Sequence, residues 1–350
     1  MLLIVTNRSD PHADAVIHHL SKIGEEVVRL HPTDFYYDIC VIWDSSRCVF
    51  KIKSSDKTIH SDSVESVWYR RPGNIDLSLD GPFPQPEKYI HSREIGAAVS
   101  SFYHLLDHAW WVSHPSNVHA ASWKPYQLAQ SKRVGFPHPD YLISNDREEI
   151  SSFLKNQEFV VLKPIHEQLT FLTKDGVDYS LFVKRLEASK VLEAIPDELP
   201  SPIFIQQYIR KKYDVRVTVF GDKIFTVALY NKDGVEIEDF RPHTMKLVHE
   251  EIDLPDHIRF SVHSYLATMS LNFGAFDFVV DHSGEWRFLE CNPNGQWLWI
   301  EALTGLGLTE AMVTVLLQGK TNKSKNLKDS RGTPLQTSTT TSGQLKGGQT

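Results

Sequence analysis

The 350-residue sequence predicts a mixed α/β (α+β) protein of two or three domains, and three observations carry that prediction. The chain opens on a strand–helix–strand alternation. Its second half carries consecutive strand runs separated by tight turns, the pattern of an antiparallel sheet. Hydrophobic residues make up 41% and charged residues 23%, an ordinary globular balance that excludes collagen, coiled coil and wholesale disorder.

Taken in order, Leu2 to Val5 is an apolar strand, and Ser9-Asp10-Pro11 signals a helix start. Ala15, Val16, His19, Leu20 and Ile23 share a helix face, Gly24 stops it, and Val27-Val28 begins the next strand. The turn TNRSDPHAD has no glycine, so the dinucleotide fingerprint is absent and no NAD site is expected there. Short strands follow at Cys40–Trp43, Cys48–Ile52 and Val67–Arg70, then a long helix from about Glu87 to Asp107. A first boundary is expected near Pro115. Beyond it, Asn117 to Val134 reads as helix, Tyr141–Ile143 as strand, and Asn145 as the cap of a helix reaching about Asn156. Phe159 to Lys163 is the next strand. Ile203 to Tyr230 holds three strand runs, read as an antiparallel meander, with Gly221-Asp222 between the last two. Asp256–Leu271 is helical, Ala275–Val280 and Trp286–Cys291 are strands around DHSGE, and Leu308–Leu317 is a closing helix.

Charge and cysteines bound the function. Lys plus Arg is 37 and Asp plus Glu 44, a net −7, so no positive field draws the chain to nucleic acid or anionic lipid. Residues 321–350 hold three large apolar side chains and five bases against one acid; this +4 segment is expected to be a disordered tail and leaves −11 on residues 1–320. Three scattered cysteines (Cys40, Cys48, Cys291) give neither a disulfide framework nor a CxxC metal signature, and MLLIVTNRSD lacks a signal-peptide pattern. A cytoplasmic protein is expected.

The segment FGAFDFVVDHSGEWRFLECNPNGQW carries the chemistry. Asp277 lies on one strand, and Glu290 and Asn292 lie two positions apart on its hairpin partner, pointing to one face. Two carboxylates and an amide suit hard Mg²⁺ and leave open positions for ATP oxygens. Both carboxylates sit inside apolar runs, where a charge needs a partner. Lys163 ends the apolar strand EFVVLKP and can aim an ammonium at phosphate, and Lys124 in ASWKPYQLAQ offers a second charge. FIQQYI, with Gln206, Gln207, Tyr208 and Ile209, reads as a strand whose backbone can pair with an adenine edge. Asp214 and Arg216 share one strand face, and an arginine there suits a bidentate grip on phosphate or carboxylate; Arg241 in EDFRPH is a second candidate.

In this order, VLKP, the QQYI hinge, DVRV and D…FLECNPNGQW resemble the ATP-grasp superfamily across roughly residues 117–318. With VWYRRPG and KKYDVRVTVFGDKIF included, the chain is similar to the ATP-grasp ribosomal peptide maturases of the microviridin or graspetide type, relatives of the ribosomal-protein glutamate ligases. The resemblance implies an ATP-grasp fold behind an N-terminal α/β pre-ATP-grasp domain over 1–115, a central subdomain over 116–205, and a C-terminal subdomain with the Mg site over 206–320. By the same resemblance Lys124 and Lys163 hold ATP phosphates, and Gln206 to Ile209 frame adenine. Asp277, Glu290 and Asn292 carry Mg²⁺, two ions being expected, and Arg216 lies near the γ-phosphate. Arg70 and Arg71, with Asp214, are placed toward the substrate peptide. The implied reaction activates a peptide side-chain carboxylate as an acyl phosphate, which a hydroxyl or amine displaces to give a macrolactone or macrolactam. The implied partner is a precursor peptide with a leader, supplied in trans, and a homodimer is the assembly such relatives suggest.

The sequence departs from the family pattern in two places. The stretch 165–174 has no glycine before Gly176, where a glycine-rich phosphate loop is frequent, and Gln207 stands where related ligases often have Glu, which leaves the ribose ligand open. Three other readings stay open at this stage. They are a ligase joining an amino acid or small amine to a carboxylate, a catalytically dead ATP-grasp fold that binds peptide, and, more remotely, a metal hydrolase. Against the last, none of the 17 histidines forms HExxH.

Overall fold

The computed structural model describes residues 1–36, 38–73, 85–165, 171–174, 177–180 and 184–330. The opening alternation forms as expected, with β1 (Leu2–Val5), α1 (Pro11–Lys22) and β2 (Val27–Leu30). Asp10 caps α1, its carboxylate accepting from the His12 N–H, and Pro11 sits in the first turn where its missing N–H costs nothing. Next come β3 (Ile39–Trp43), β4 (Cys48–Ile52), β5 (Lys57–His60), β6 (Ser66–Tyr69), α2 (Gln85–Leu105) and β7 (Trp110–Trp111). Strands in the order β2-β1-β6-β7 make a parallel sheet, and β3-β4-β5 an antiparallel one. As a central strand of a parallel sheet, β1 is buried on both faces. Leu2 and Ile4 join one core with α1, whereas Leu3 and Val5 join another with Phe50 and Phe102.

The following stretch gives α3 (Pro115–Ala121), α4 (Lys124–Arg133), β8 (Tyr141–Ser144), α5 (Arg147–Lys155) and β9 (Phe159–Lys163), then β10 (Phe171–Lys174), β11 (Val177–Ser180), β12 (Leu186–Glu187), α6 (Ala188–Ala194) and β13 (Ile203–Gln207). The single helix expected over 117–134 is two. Pro125 cannot donate within a helix but fits a first turn, so a new helix starts at Lys124. The cap of α5 is Asp146, not Asn145; its carboxylate accepts from the Glu148 and Glu149 N–H groups at 2.8 and 3.0 Å.

The last elements are β14 (Lys211–Phe220), β15 (Lys223–Tyr230), β16 (Val248–Glu251), α7 (Asp256–Thr268), β17 (Phe273–Asp281), β18 (Trp286–Asn292), α8 (Leu298–Thr304) and α9 (Leu308–Ser330). The expected meander holds for β14 and β15, but β13 pairs instead with β8 and β9 in the sheet β12-β9-β13-β8. The antiparallel sheet β16-β15-β14-β17-β18 packs one face on α4 and α7 around Phe136, Tyr265, Phe276, Phe278 and Phe288, with the Phe136 and Phe288 rings stacked at 4.9 Å. Helix α9 runs past the expected end at Leu317 and through Gly319, which serves close packing instead of a stop: a Cβ there would meet the Glu65 carbonyl and the Trp110 side chain. Residues 331–350, the remainder of the expected tail, lie outside the described residues.

Candidate active site

The sheet containing β9 and β13 and the sheet containing β14 and β17 enclose a cavity of about 760 Å³. The sequence of β17, FGAFDFVVD, explains its floor. Every residue before its end is buried and apolar except Asp277, so the strand is fixed by its neighbours and offers one carboxylate to the cavity. Register aligns that carboxylate with two partners. Arg216 on β14 lies directly across from Asp277 on one side, and Glu290 on β18 directly across on the other. A β-bulge follows, pairing Phe278 with Phe288 and leaving Leu289 over, so that Leu289 and Glu290 both border the cavity.

The facing wall supplies cations. Lys163, at the end of β9, lines the cavity, as does Lys124 at the first position of α4. The Lys124 ammonium donates to the Pro164 carbonyl at 2.9 Å and lies 3.8 Å from Glu290 Oε2. Arg241 completes the ring, held by Asp239, whose carboxylate accepts from Nε at 2.9 Å and from the terminal nitrogen at 2.6 Å.

These charges shape one another. Burial pushes the Lys163 ammonium down to about 8, with Glu290 opposing the shift and Lys124 and Arg241 adding to it. Burial likewise pushes the Asp277 carboxyl up to about 6 against the pull of Arg216, and Glu290 adds to the rise. Burial opposes ionisation of Glu290 as well, yet Lys124, Lys163, Arg241 and Arg216 together outweigh it and hold that carboxyl below its ordinary value. Two facing carboxylates conflict, and a divalent cation between them removes the conflict.

The donor set fits Mg²⁺ on a second observation. Asp277 Oδ1 and Arg216 Nε approach to 2.9 Å, but neither has a hydrogen-bond partner of good geometry, so the pair is held by charge and a buried carboxylate oxygen stays available to a ligand. Among the described residues, no three His, Cys, Asp or Glu side chains gather as a metal cage. Mg²⁺ is commonly bound by one or two carboxylates plus substrate phosphates, and the Asp277 and Glu290 pair supplies two carboxylates at the cavity.

The other candidates divide. Gln206, Gln207, Tyr208, Ile209 and Asp214 line the cavity. Gln206 is 1% exposed and its Nε2 has no hydrogen-bond partner, a buried donor at the cavity wall. Burial pushes the Asp214 carboxyl up to about 6 despite the Lys211 ammonium 2.8 Å away. Arg216 stands behind Asp277 rather than on the cavity wall. Asn292 closes β18 opposite Ala275, and its Oδ1 accepts from the Asn294 N–H at 2.9 Å. Arg70 is only 1% exposed and turned inward. It donates to the Asn294 carbonyl, which also accepts from Arg71 Nε at 3.1 Å, and lies 3.6 Å from Asp10. Trp297, between these layers, is fully buried core, and its N–H donates to His12 Nε2 at 3.0 Å. The loop expected over the phosphates falls mostly on residues 166–170 and 175–176, outside the described residues.

Sequence reasoning missed Lys211, Glu236 and Gln127. The Lys211 ammonium also donates to the Glu238 carbonyl at 3.2 Å, and Glu236 accepts from the Lys211 N–H at 3.1 Å and the Tyr208 hydroxyl at 2.7 Å. The alternation of acids in VEIED was the available signal. Gln127 carried none.

Residues 1–119 match the family model of the MvdD pre-ATP grasp domain. The whole structure is similar to macrocyclase MdnC from Microcystis aeruginosa MRC, solved bound with precursor peptide MdnA, with a TM-score of 0.77 and 21% identity over 91% of this chain and 99% of that one. It is also similar to a Chryseobacterium gregarium RiPP-associated ATP-grasp ligase in complex with ADP and leader and core peptides (TM-score 0.75, 22% identity, 91% and 96% covered). A third is ATP-grasp ligase PsnB complexed with minimal precursor, Mg and ADP (0.72, 19%, 91% and 96%). No curated protein sequence matches the chain. The fold is therefore ATP-grasp behind a pre-ATP-grasp domain.

Proposed function

We propose that this chain, an ATP-grasp protein fronted by an MvdD-type pre-ATP-grasp domain, is an ADP-forming ligase acting on a ribosomally made precursor peptide. It activates a side-chain carboxylate and closes an intramolecular ester or amide. The observation that carries this reading is the register row Arg216, Asp277, Glu290 across three strands, whose two carboxylates share with Lys124 and Lys163 a cavity large enough for a nucleotide. The peptide and nucleotide complexes of MdnC, PsnB and the Chryseobacterium gregarium ligase support it.

On this reading the cavity wall from Gln206 to Ile209 takes adenine, and Lys124 and Lys163 hold the phosphates. Asp277, Glu290 and Asn292 would hold Mg²⁺, two ions on this reading, which would supply positive charge beside the transferred phosphoryl group. An oxygen of the peptide carboxylate bonds to the γ-phosphorus as the bond to the bridging oxygen breaks, releasing ADP. A hydroxyl or amine then bonds to the acyl carbon, its proton leaves, and phosphate departs. Arg241, on the cavity wall, places guanidinium charge where the transferred group and the tetrahedral species become negative, and Arg216 contributes from behind, through the Asp277 carboxylate that it pairs. Asp214 stands at the substrate side. Arg70, which is buried, acts on the substrate through the Asn294 turn that both arginines hold, and Arg71, only half-buried, stands at the substrate side. The peptide is supplied in trans to a cytoplasmic homodimer. Among the described residues, no helix is long and apolar enough to cross a membrane.

The test is incubation of the purified chain with Mg-ATP and the peptide encoded beside it, following ADP and peptide mass. Peptide-dependent ADP with loss of water from the peptide is expected. ADP with gain of an added amine would replace this reading with the amine-ligase one, and nucleotide binding without any turnover would leave a peptide-binding module.

A further inference from the structure

We infer that Gln127 is a positioning residue that sets the two Mg²⁺-binding side chains on β18, by clasping the main chain of the residue between them. The inference rests on the reading that Glu290 and Asn292 carry the metal. Strand β18 lies at the rim of its sheet, paired with β17 on one side only. On the other side its end meets α4. There the Cys291 N–H donates to Gln127 Oε1 at 3.0 Å, and Gln127 Nε2 donates to the Cys291 carbonyl at 2.7 Å. At Cys291 the amide thus makes the two hydrogen bonds that another strand would have made, while farther back on the same edge the Phe288 N–H donates to the Pro137 carbonyl at 2.8 Å.

Three features make this more than satisfaction of a strand rim. Gln127 is 2% exposed, so solvent does not compete for its amide. Nε2 makes a further bond to the Ala121 carbonyl at 2.5 Å, so the amide faces two carbonyls with its nitrogen and one N–H with its oxygen, and the flipped orientation would lose all three bonds. Its helix also grips the neighbouring side chain, since Lys124, one turn earlier on α4, supplies the ammonium 3.8 Å from Glu290 Oε2. A shift of the Cys291 peptide moves Glu290 and Asn292 together, because they flank it. Outer partners of metal ligands typically change metal affinity or activity by about 10–100-fold.

The experiment compares ADP binding by calorimetry across an Mg²⁺ titration in the wild-type chain, Gln127→Met and Gln130→Met. Met keeps the length of Gln and removes the amide. Gln130 is the control, a buried glutamine on the same helix whose amide accepts from Arg133 at 3.2 Å instead of touching β18. Gln127→Met is expected to raise the Mg²⁺ half-saturation by roughly 10-fold or more, with ADP binding in the absence of metal unchanged; Gln130→Met is expected to titrate like wild type. Equal half-saturation in wild type and Gln127→Met overturns the assignment of Gln127. Wild-type ADP binding that ignores Mg²⁺ overturns the metal site itself. Amide exchange in the wild-type chain decides the matter even if Gln127→Met does not fold. The Cys291 amide is expected to be protected before metal or nucleotide is added, and rapid exchange there contradicts the clasp.

Discussion

Asp277 and Glu290 are register partners on adjacent antiparallel strands, with a β-bulge beginning at the next position. Cross-strand partners lie about 4.5–5.5 Å apart at Cβ, so the backbone itself sets the separation of the two carboxylates. Glu290→Gln keeps shape and volume but removes one anionic oxygen donor. Outer partners alone are worth up to about 100-fold, so the ligand itself is expected to be worth at least about 100-fold in ADP release. Thermal unfolding should change little. Steady-state ADP assays beside a melting curve check both parts.

Lys163 faces that pair from the opposite sheet. Hydrogen bonds involving a charged group contribute about 1.5–3 kcal/mol, so Lys163→Met is expected to weaken nucleotide binding by roughly 10–100-fold. Calorimetric titration with ADP measures this directly. Unchanged affinity would remove Lys163 from the phosphate site.

Gly295 is required by space. A Cβ there would fall 2.2 Å from the Ala275 Cβ, closer than any tolerated contact. Gly295→Ala is expected to cost about 1–3 kcal/mol, the usual range for overpacking a core. Adding Ala275→Gly should recover part of that loss, because it removes the atom struck. Denaturant unfolding of the wild type, Gly295→Ala and the double variant checks the compensation.

His12 joins α1 to the segment between β18 and α8, its Nε2 accepting from the Trp297 and Leu298 N–H groups at 3.0 and 3.2 Å. Burial holds its pKa below the ordinary value, against the Asp10 carboxylate and with Arg70 and Arg71 adding to the depression. The unfolded chain therefore takes up this proton at a higher pH than the folded chain. Stability from the neutral ring is fully present above about pH 6.5 and is lost as pH falls from there through the lowered folded value, at up to about 1.4 kcal/mol per pH unit. His12→Gln should flatten that slope, measured by urea unfolding between pH 5 and 7.5.

How far the sequence reveals the site depends on which force places each residue. Strand β9 has the predicted bounds, Phe159 to Lys163, because a short apolar run ended by a proline has few alternatives. Asp277, Glu290 and Asn292 come together because a hairpin with a tight turn fixes its own register. The partner of β13 was not legible, since Ile203–Gln207 carries the same apolar pattern whether it pairs with β14 or, as it does, with β8 and β9. Arg70 resembles a substrate arginine in VWYRRPG, and only the packed structure shows it buried beside Asp10 and Trp297. Gln127 reads as one more polar residue on a polar helix; its role depends on where Cys291 lands, 164 residues later.

Activation of a peptide carboxylate by phosphoryl transfer leaves a mark that an isotope label can follow. Precursor peptide carrying ¹⁸O in its acidic side chains is incubated with the chain and Mg-ATP, and the released phosphate is analysed by mass spectrometry. One labelled oxygen is expected in phosphate for each bond closed, because the carboxylate oxygen that attacks phosphorus leaves with it. Ring closure with unlabelled phosphate would contradict that activation.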